Sequence, residues 1–126
     1  MIVGTGIDIA EVDRIRQTIE RFGRRFTERV FTADEIRYCE SKANKVERYA
    51  ARFAAKEAAM KAIGTGWNRG VTWHDVEVRR SPGQRPTMAF HARAGEFFAK
   101  LGATRAHLSL THTNDLAMAQ VILESE

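Results

Sequence analysis

The chain predicts an α+β fold in a single domain spanning residues 1–126, and three observations carry that reading. Residues 2–10 alternate at strand period. Helical periodicity then runs through residues 11–63. The second half returns to strand patterns broken by one helix. The resulting order, β-α-α-α-β-β-α-β-β, lacks the regular βαβ alternation of a doubly wound sheet. At 126 residues, 44% of them hydrophobic and 29% charged, one compact core is affordable and a second is not.

In the first strand, Val3, Thr5, Ile7 and Ile9 share one face, and Ile2, Gly4, Gly6, Asp8 and Ala10 the other. Asp8 thus lies among small residues, and glycine in a strand marks close approach by a ligand or another backbone. Residues 11–22 read as helix, with Val12, Ile15, Ile19 and Phe22 forming an apolar stripe, Arg14 and Arg21 pointing away from it, and Gly23 as the stop. A short helical turn is expected over residues 25–30. Thr32 with Glu35 three residues later has the form of a capping box. The central helix, residues 45–63, contains the run RFAAKEAAMK, all good helix formers, and Gly64 stands where a left-handed C-cap belongs. Residues 71–80 and 85–91 read as strands joined by Ser81-Pro82-Gly83-Gln84. A helix over 92–101 ends at Gly102. The last two strands, 106–113 and 116–124, flank Asn114-Asp115, an Asx-turn candidate.

Composition removes several functional classes. No stretch approaches a membrane span, and the N-terminal residues lack a basic leader and a small-residue cleavage site, so a cytoplasmic protein is expected. With Cys39 as the lone cysteine, no internal disulfide and no multi-thiolate metal site can form within one chain. Twenty Lys and Arg against sixteen Asp and Glu give a formal net charge of +4, and the sequence pI of about 9.6 favours anionic partners. The excess is concentrated between residues 14 and 29, where six arginines face two glutamates. A solvated basic face is the simplest account of such a run.

Asp8 and Glu57 are the informative pair. On a helical wheel Glu57 falls in the sector of Val46, Tyr49, Ala50, Phe53 and Met60, the buried stripe of the central helix. A carboxylate there must be paired or coordinated. Two readings stand: a salt bridge with Lys56, Lys61 or a nearby arginine, or a hard divalent cation such as Mg²⁺, which takes one or two protein carboxylates and completes its shell with waters and phosphate oxygens. Arg52, Lys56 and Lys61 lie on or beside the same face and would suit phosphate. The four histidines, 74, 91, 107 and 112, form no helical i, i+4 pair, which gives a zinc site no support. His112 ends a strand just before a turn, a place suited to a binding residue and equally to a hydrogen-bonded structural one. The two Gly-Thr-Gly stretches are not P-loops, since neither leads into Lys-Ser or Lys-Thr.

Taken together, GIDIAEVDRI at 6–15, FTADE at 31–35, RFAAKEAAMKAIGTG at 52–66 and LSLTH with AQVIL in the last two strands resemble the holo-[acyl-carrier-protein] synthase family of 4′-phosphopantetheinyl transferases. The resemblance keeps the family's order and length, and is only general between Gly66 and Gly102. It implies a long central helix on a mostly antiparallel sheet. It also implies transfer of 4′-phosphopantetheine from the substrate coenzyme A to a serine of apo acyl carrier protein, in fatty acid biosynthesis, releasing adenosine 3′,5′-bisphosphate. On the matching motifs, Asp8 and Glu57 would bind Mg²⁺, and Lys61 would contact the phosphates and assist departure of the bisphosphate. Arg52, Gly64, Thr65, Gly66 and His112 would line the coenzyme A site, and Arg14, Arg21 and Arg24 would meet the acidic carrier protein. The family is trimeric, with active sites between subunits. This chain departs from it at Ser109-Leu110-Thr111-His112, where many members have Ser-x-Ser-His, and at the following Thr-Asn-Asp.

Glu57 and a metal-bound water are both candidates to take the serine proton. Polyketide or peptide carrier domains are alternative acceptors. A nucleic-acid-binding domain would suit the pI, but no RNP-like aromatic pattern, KH loop or zinc knuckle is present, so no nucleic-acid partner is expected.

Overall fold

The computed structural model describes residues 1–126. In chain order its elements are β1 (Ile2–Glu11), α1 (Val12–Phe22), α2 (Arg24–Val30), α3 (Ala33–Glu40), α4 (Lys45–Ala62), a 3₁₀ turn (Trp73–Asp75), β2 (Val76–Arg79), β3 (Thr87–Phe90), α5 (Ala92–Lys100), β4 (Arg105–His112) and β5 (Leu116–Glu124). Every strand pairing is antiparallel. The expected α+β order is present, but the strands form two sheets: a three-stranded one ordered β1-β5-β4 and a separate ribbon of β2 and β3.

α4 lies across the three-stranded sheet, and its composition explains how closely. Ala54, Ala55, Ala58 and Ala59 are fully buried, so the helix presents almost no side-chain bulk to the strands. β1 answers with Gly4 and Gly6. A methyl group on Gly6 would collide with the Ala58 carbonyl oxygen, and one on Gly4 with that of Ala62. The glycines read from the sequence as a place of close approach therefore admit another backbone. Gly6→Ala should cost stability at the upper end of the roughly 1–3 kcal/mol typical of overpacking, because backbone cannot rotate out of the way as a side chain can. Urea unfolding would measure it, and a wild-type midpoint would contradict the packing described.

Two apolar clusters fill the interior. One joins α4 to β1, β4, β5 and the β2–β3 ribbon through Met60, Val76, Leu108, Val121 and Leu123. The other joins α1, α2 and α3 to the first half of α4 through Val12, Ile15, Phe31 and Tyr49. The capping box at the start of α3 is present, with Thr32 and Glu35 bonding reciprocally.

Two local expectations are corrected. Residues 71–80 supply only a four-residue strand, because Thr72 and Asp75 form their own capping box and wind Trp73–Asp75 into a 3₁₀ turn. At the β4–β5 turn the organising side chain is Thr113, whose Oγ1 accepts from the amides of Asp115 and Leu116 at 3.1 Å each, rather than Asn114.

Candidate functional site

Strand register places Asp8 on the α4-facing side of β1, opposite Ala119, two residues beyond Gly6. Glu57 precedes Ala58, one of the alanines that meets that strand. Both carboxylates line one cavity of about 330 Å3, with Phe26, Phe53 and Arg14 among its other walls. Burial first, and then the negative charge of Asp8, raise the Glu57 carboxyl above the usual carboxylate range, with Lys61 partly offsetting them. Lys61 reaches from the last turn of α4 to Asp8 Oδ1 at 2.8 Å and to the Ile7 carbonyl at 3.1 Å. Asp8 is thus ion-paired with Lys61, one of the alternatives open from sequence, and Glu57 has no such partner. No group of three or more His, Cys, Asp and Glu side chains is assembled anywhere in the chain. A pair of carboxylates, one of them hard to ionise beside the other, is a donor set that fits a hard dication retaining water and phosphate ligands.

The three cations read as neighbours on α4 turn three different ways, which corrects that expectation. Lys61 faces β1 and is half exposed. Lys56 is fully buried, and its Nζ donates to Glu35 Oε1 at 2.6 Å. Burial lowers the Lys56 pKa, opposed by the charge and hydrogen bond of Glu35. Lys56 is therefore unavailable to phosphate. Arg52 is also buried but lies over the Tyr38 ring, lining a second cavity beside α3.

Past the end of α4, Gly64 and Gly66 adopt φ of 80° and 55°, and Gly64 sits in the left-handed cap expected of it. The Gly64 amide donates to Lys61 O, and the amides of Thr65 and Gly66 both donate to Met60 O. These amides close the helix and are not free to cradle an anion. Thr65 is buried, its hydroxyl donating to Gly66 O. His112 ends β4 opposite Ala117, on the same sheet face as Asp8 but on the opposite edge strand. Within one chain, then, Arg52, the 64–66 turn and His112 are separate from the Asp8–Glu57 cavity.

Of the basic residues, Arg14 borders that cavity and is largely exposed, 3.9 Å from Glu11. Arg21 lies over the Phe22 ring, and Arg24 is bonded to Glu28 at 2.7 and 2.9 Å. The sequence reading missed the part played by Glu35, which it read only as a helix cap. Besides Lys56 it holds the amide of Thr32 on one oxygen and that of Val78 on the other, both at 2.8 Å. The signal available was the Thr-x-x-Glu pattern, and it does not extend to partners 21 and 43 residues away.

The family model described as the 4′-phosphopantetheinyl transferase superfamily matches residues 4–121. A holo-[acyl-carrier-protein] synthase of Koribacter versatilis (strain Ellin345) is 67% identical over 124 residues, 98% of this chain and 99% of its own length. Among solved structures, the holo-[acyl-carrier-protein] synthase of Neisseria meningitidis superposes with a TM-score of 0.89 at 30% identity, covering 99% of this chain and all of that one. The synthase of Bacillus anthracis, solved in complex with coenzyme A (3′,5′-ADP), superposes at 0.80 with 37% identity, covering 100% of this chain and 99% of its own. No helix is long and apolar enough to cross a membrane. With its sequence matched from end to end and its fold shared, this chain is an enzyme that belongs to the holo-[acyl-carrier-protein] synthase family of the 4′-phosphopantetheinyl transferase superfamily.

Proposed function

We propose that this chain, as one transferase domain over residues 1–126, moves 4′-phosphopantetheine from coenzyme A to a serine of apo acyl carrier protein, in the cytoplasm and for fatty acid synthesis. The observation that carries this reading is the convergence of Asp8 from β1 and Glu57 from α4 on one cavity, with Lys61 at its edge and Arg14 on its rim. Asp8 and Glu57 would hold Mg²⁺. When bound, that ion would neutralise negative charge on the pyrophosphate and make its phosphorus a better target.

The serine hydroxyl attacks the pyrophosphate phosphorus, the phosphorus–oxygen bond to adenosine 3′,5′-bisphosphate breaks, and negative charge grows on the departing oxygen. Lys61, held by Asp8 and the Ile7 carbonyl, would set its ammonium against that charge. Glu57 is suited to accept the serine proton, since burial and Asp8 have shifted its carboxyl towards neutrality. With their amides spent on α4, Gly64, Thr65 and Gly66 would contribute close approach of backbone to coenzyme A rather than an anion cradle.

Arg52 and His112 would contact coenzyme A from a neighbouring subunit, which accounts for their separation from the carboxylates in one chain. In support, the outer sheet face exposes Ile7, Ile9, Leu116 and Met118, with Ile9 directly opposite Met118. Such a face suits burial in a homotrimer. Incubation with coenzyme A, Mg²⁺ and apo carrier protein should add one phosphopantetheine to the carrier by mass spectrometry, and active protein should sediment as a trimer. An unmodified carrier would reject the transfer, and an active monomer the shared site.

Arg14, Arg21 and Arg24 would dock the acidic carrier. Arg14→Glu with Arg21→Glu should raise KM for the carrier at least about tenfold while moving KM for coenzyme A by less than about twofold, since charge reversal on a rim acts on encounter. Equal losses for both substrates would refute the assignment.

A further inference from the structure

Arg52 is the largest fully buried side chain, only 2% exposed, and its Nε has no hydrogen-bond partner. No carboxylate pairs with its guanidinium. Both carboxylates of the same cavity are already committed: Asp34 to Arg37, and Glu35 through one oxygen to Lys56 and the Thr32 amide and through the other to the Val78 amide. A buried cation without a counterion needs some other compensation. The contact available is the Tyr38 ring, whose centroid lies 4.0 Å from Arg52 Cζ.

The same ring gathers further charge. Arg80 Cζ lies 5.7 Å from its centroid and Lys42 Nζ 5.2 Å, while the Tyr38 hydroxyl is 3.4 Å from Arg48 Nη1. Arg52 and Arg80 both line the cavity of about 480 Å3 beside α3. Its other two arginines are occupied: Arg37 is bonded to Asp34 at 2.6 Å and Arg79 to Glu77 at 3.2 Å. Arg52 and Arg80, the cavity's two uncommitted arginines, are thus the two of its cations that share the Tyr38 ring, with Lys42 on the same ring outside the cavity lining. Two guanidiniums gathered at one ring repel each other; the electron-rich ring offsets part of that cost, and an incoming anion would recover more of it.

We propose that Tyr38 is a positioning residue for coenzyme A binding, its ring face holding Arg52 and Arg80 as a preformed cation pair for a phosphate group of the substrate. This rests on the reading that Arg52 contacts coenzyme A. The ring face carries the effect, and the hydroxyl contributes little. Preorganisation of this kind acts on substrate affinity, so it lowers KM and leaves the chemical step untouched.

The test measures coenzyme A binding to the full chain by calorimetry, alongside KM and kcat, for Tyr38→Phe, Tyr38→Leu, Tyr38→Met, Arg52→Met and the Arg52→Met/Tyr38→Leu double variant. Tyr38→Phe keeps the ring and should bind coenzyme A within about twofold of wild type, whereas Tyr38→Leu and Tyr38→Met should lose about tenfold, with kcat and the KM for carrier protein hardly moved. In the Arg52→Met background Tyr38→Leu should lose little more, because the ring acts through the arginine. Tyr38→Phe losing as much as Tyr38→Leu would overturn the proposal in favour of the hydroxyl. Tyr38→Leu and Tyr38→Met at wild-type affinity while Arg52→Met is weakened would overturn it and leave Arg52 at coenzyme A. Should Arg52→Met bind as wild type, the assignment of Arg52 falls, and the role of Tyr38 with it. Two aliphatic replacements guard against one that fails to fold.

Discussion

Asp8→Asn and Glu57→Gln should each lower phosphopantetheine transfer by about two orders of magnitude or more, the scale seen when one preorganised charge contact is removed from an active site. Each amide keeps the shape and is a poor ligand for a hard cation. The double variant should lose far less than the product of the single losses, because both carboxylates act through one site. Stability should separate them. Glu57 has a folded-state pKa raised by burial and by Asp8, so its favourable contribution is complete in acid and is lost as pH rises through that pKa. In EDTA, Glu57→Gln should therefore melt level with wild type or above it at the higher of two pH values, an advantage that shrinks as pH falls. Asp8→Asn gives up the ion pair with Lys61 and should melt slightly lower. Melting curves at two pH values in EDTA, beside Mg²⁺-dependent turnover, check all of this. A Glu57→Gln variant with wild-type turnover would remove Glu57 from the site.

Lys56→Met should be among the most destabilising substitutions in the chain, costing about 3–5 kcal/mol, since it leaves the Glu35 carboxylate buried without its cation. Glu35→Gln should also be severe, because it strands a buried ammonium and weakens the tie from α3 to the Val78 amide of β2. Replacing both, Lys56→Met with Glu35→Gln, should recover much of the Lys56→Met loss by removing both charges together. Denaturant unfolding of the four proteins closes the cycle. Single variants as stable as wild type would show that the pair contributes nothing.

Local pattern made much of this molecule readable. The alternation of residues 2–10, the Thr32–Glu35 cap and the alanine-rich helix each depend on near neighbours, and each lies where its spacing says. Asp8 and Glu57 stood out for a related reason: a carboxylate on an apolar stripe conflicts with its own surroundings. The failures are non-local or are decided by competition within a few residues. Lys56 looked like a phosphate ligand because its partner Glu35 is 21 residues away in sequence and meets it only in the fold, and Arg52 gave no hint of the Tyr38 ring. The strand over 71–80 is shortened by a Thr72–Asp75 cap, a Thr-x-x-Asp pattern present in the sequence that the strand reading did not take up.

The meeting of Gly6 with Ala58 has a consequence for how this enzyme can change. Asp8 lies two residues beyond that contact on one element and Glu57 one residue before it on the other. The backbone contact therefore works as a gauge block, setting how closely β1 and α4, which carry the two carboxylates, approach one another. Substitutions that thicken it would push the two elements apart, and the acids they carry with them. Selection for heat tolerance in the laboratory would find no space to fill at Gly4 and Gly6 and would have to find its gains elsewhere, as in the β2–β3 ribbon or α5, away from that spacing.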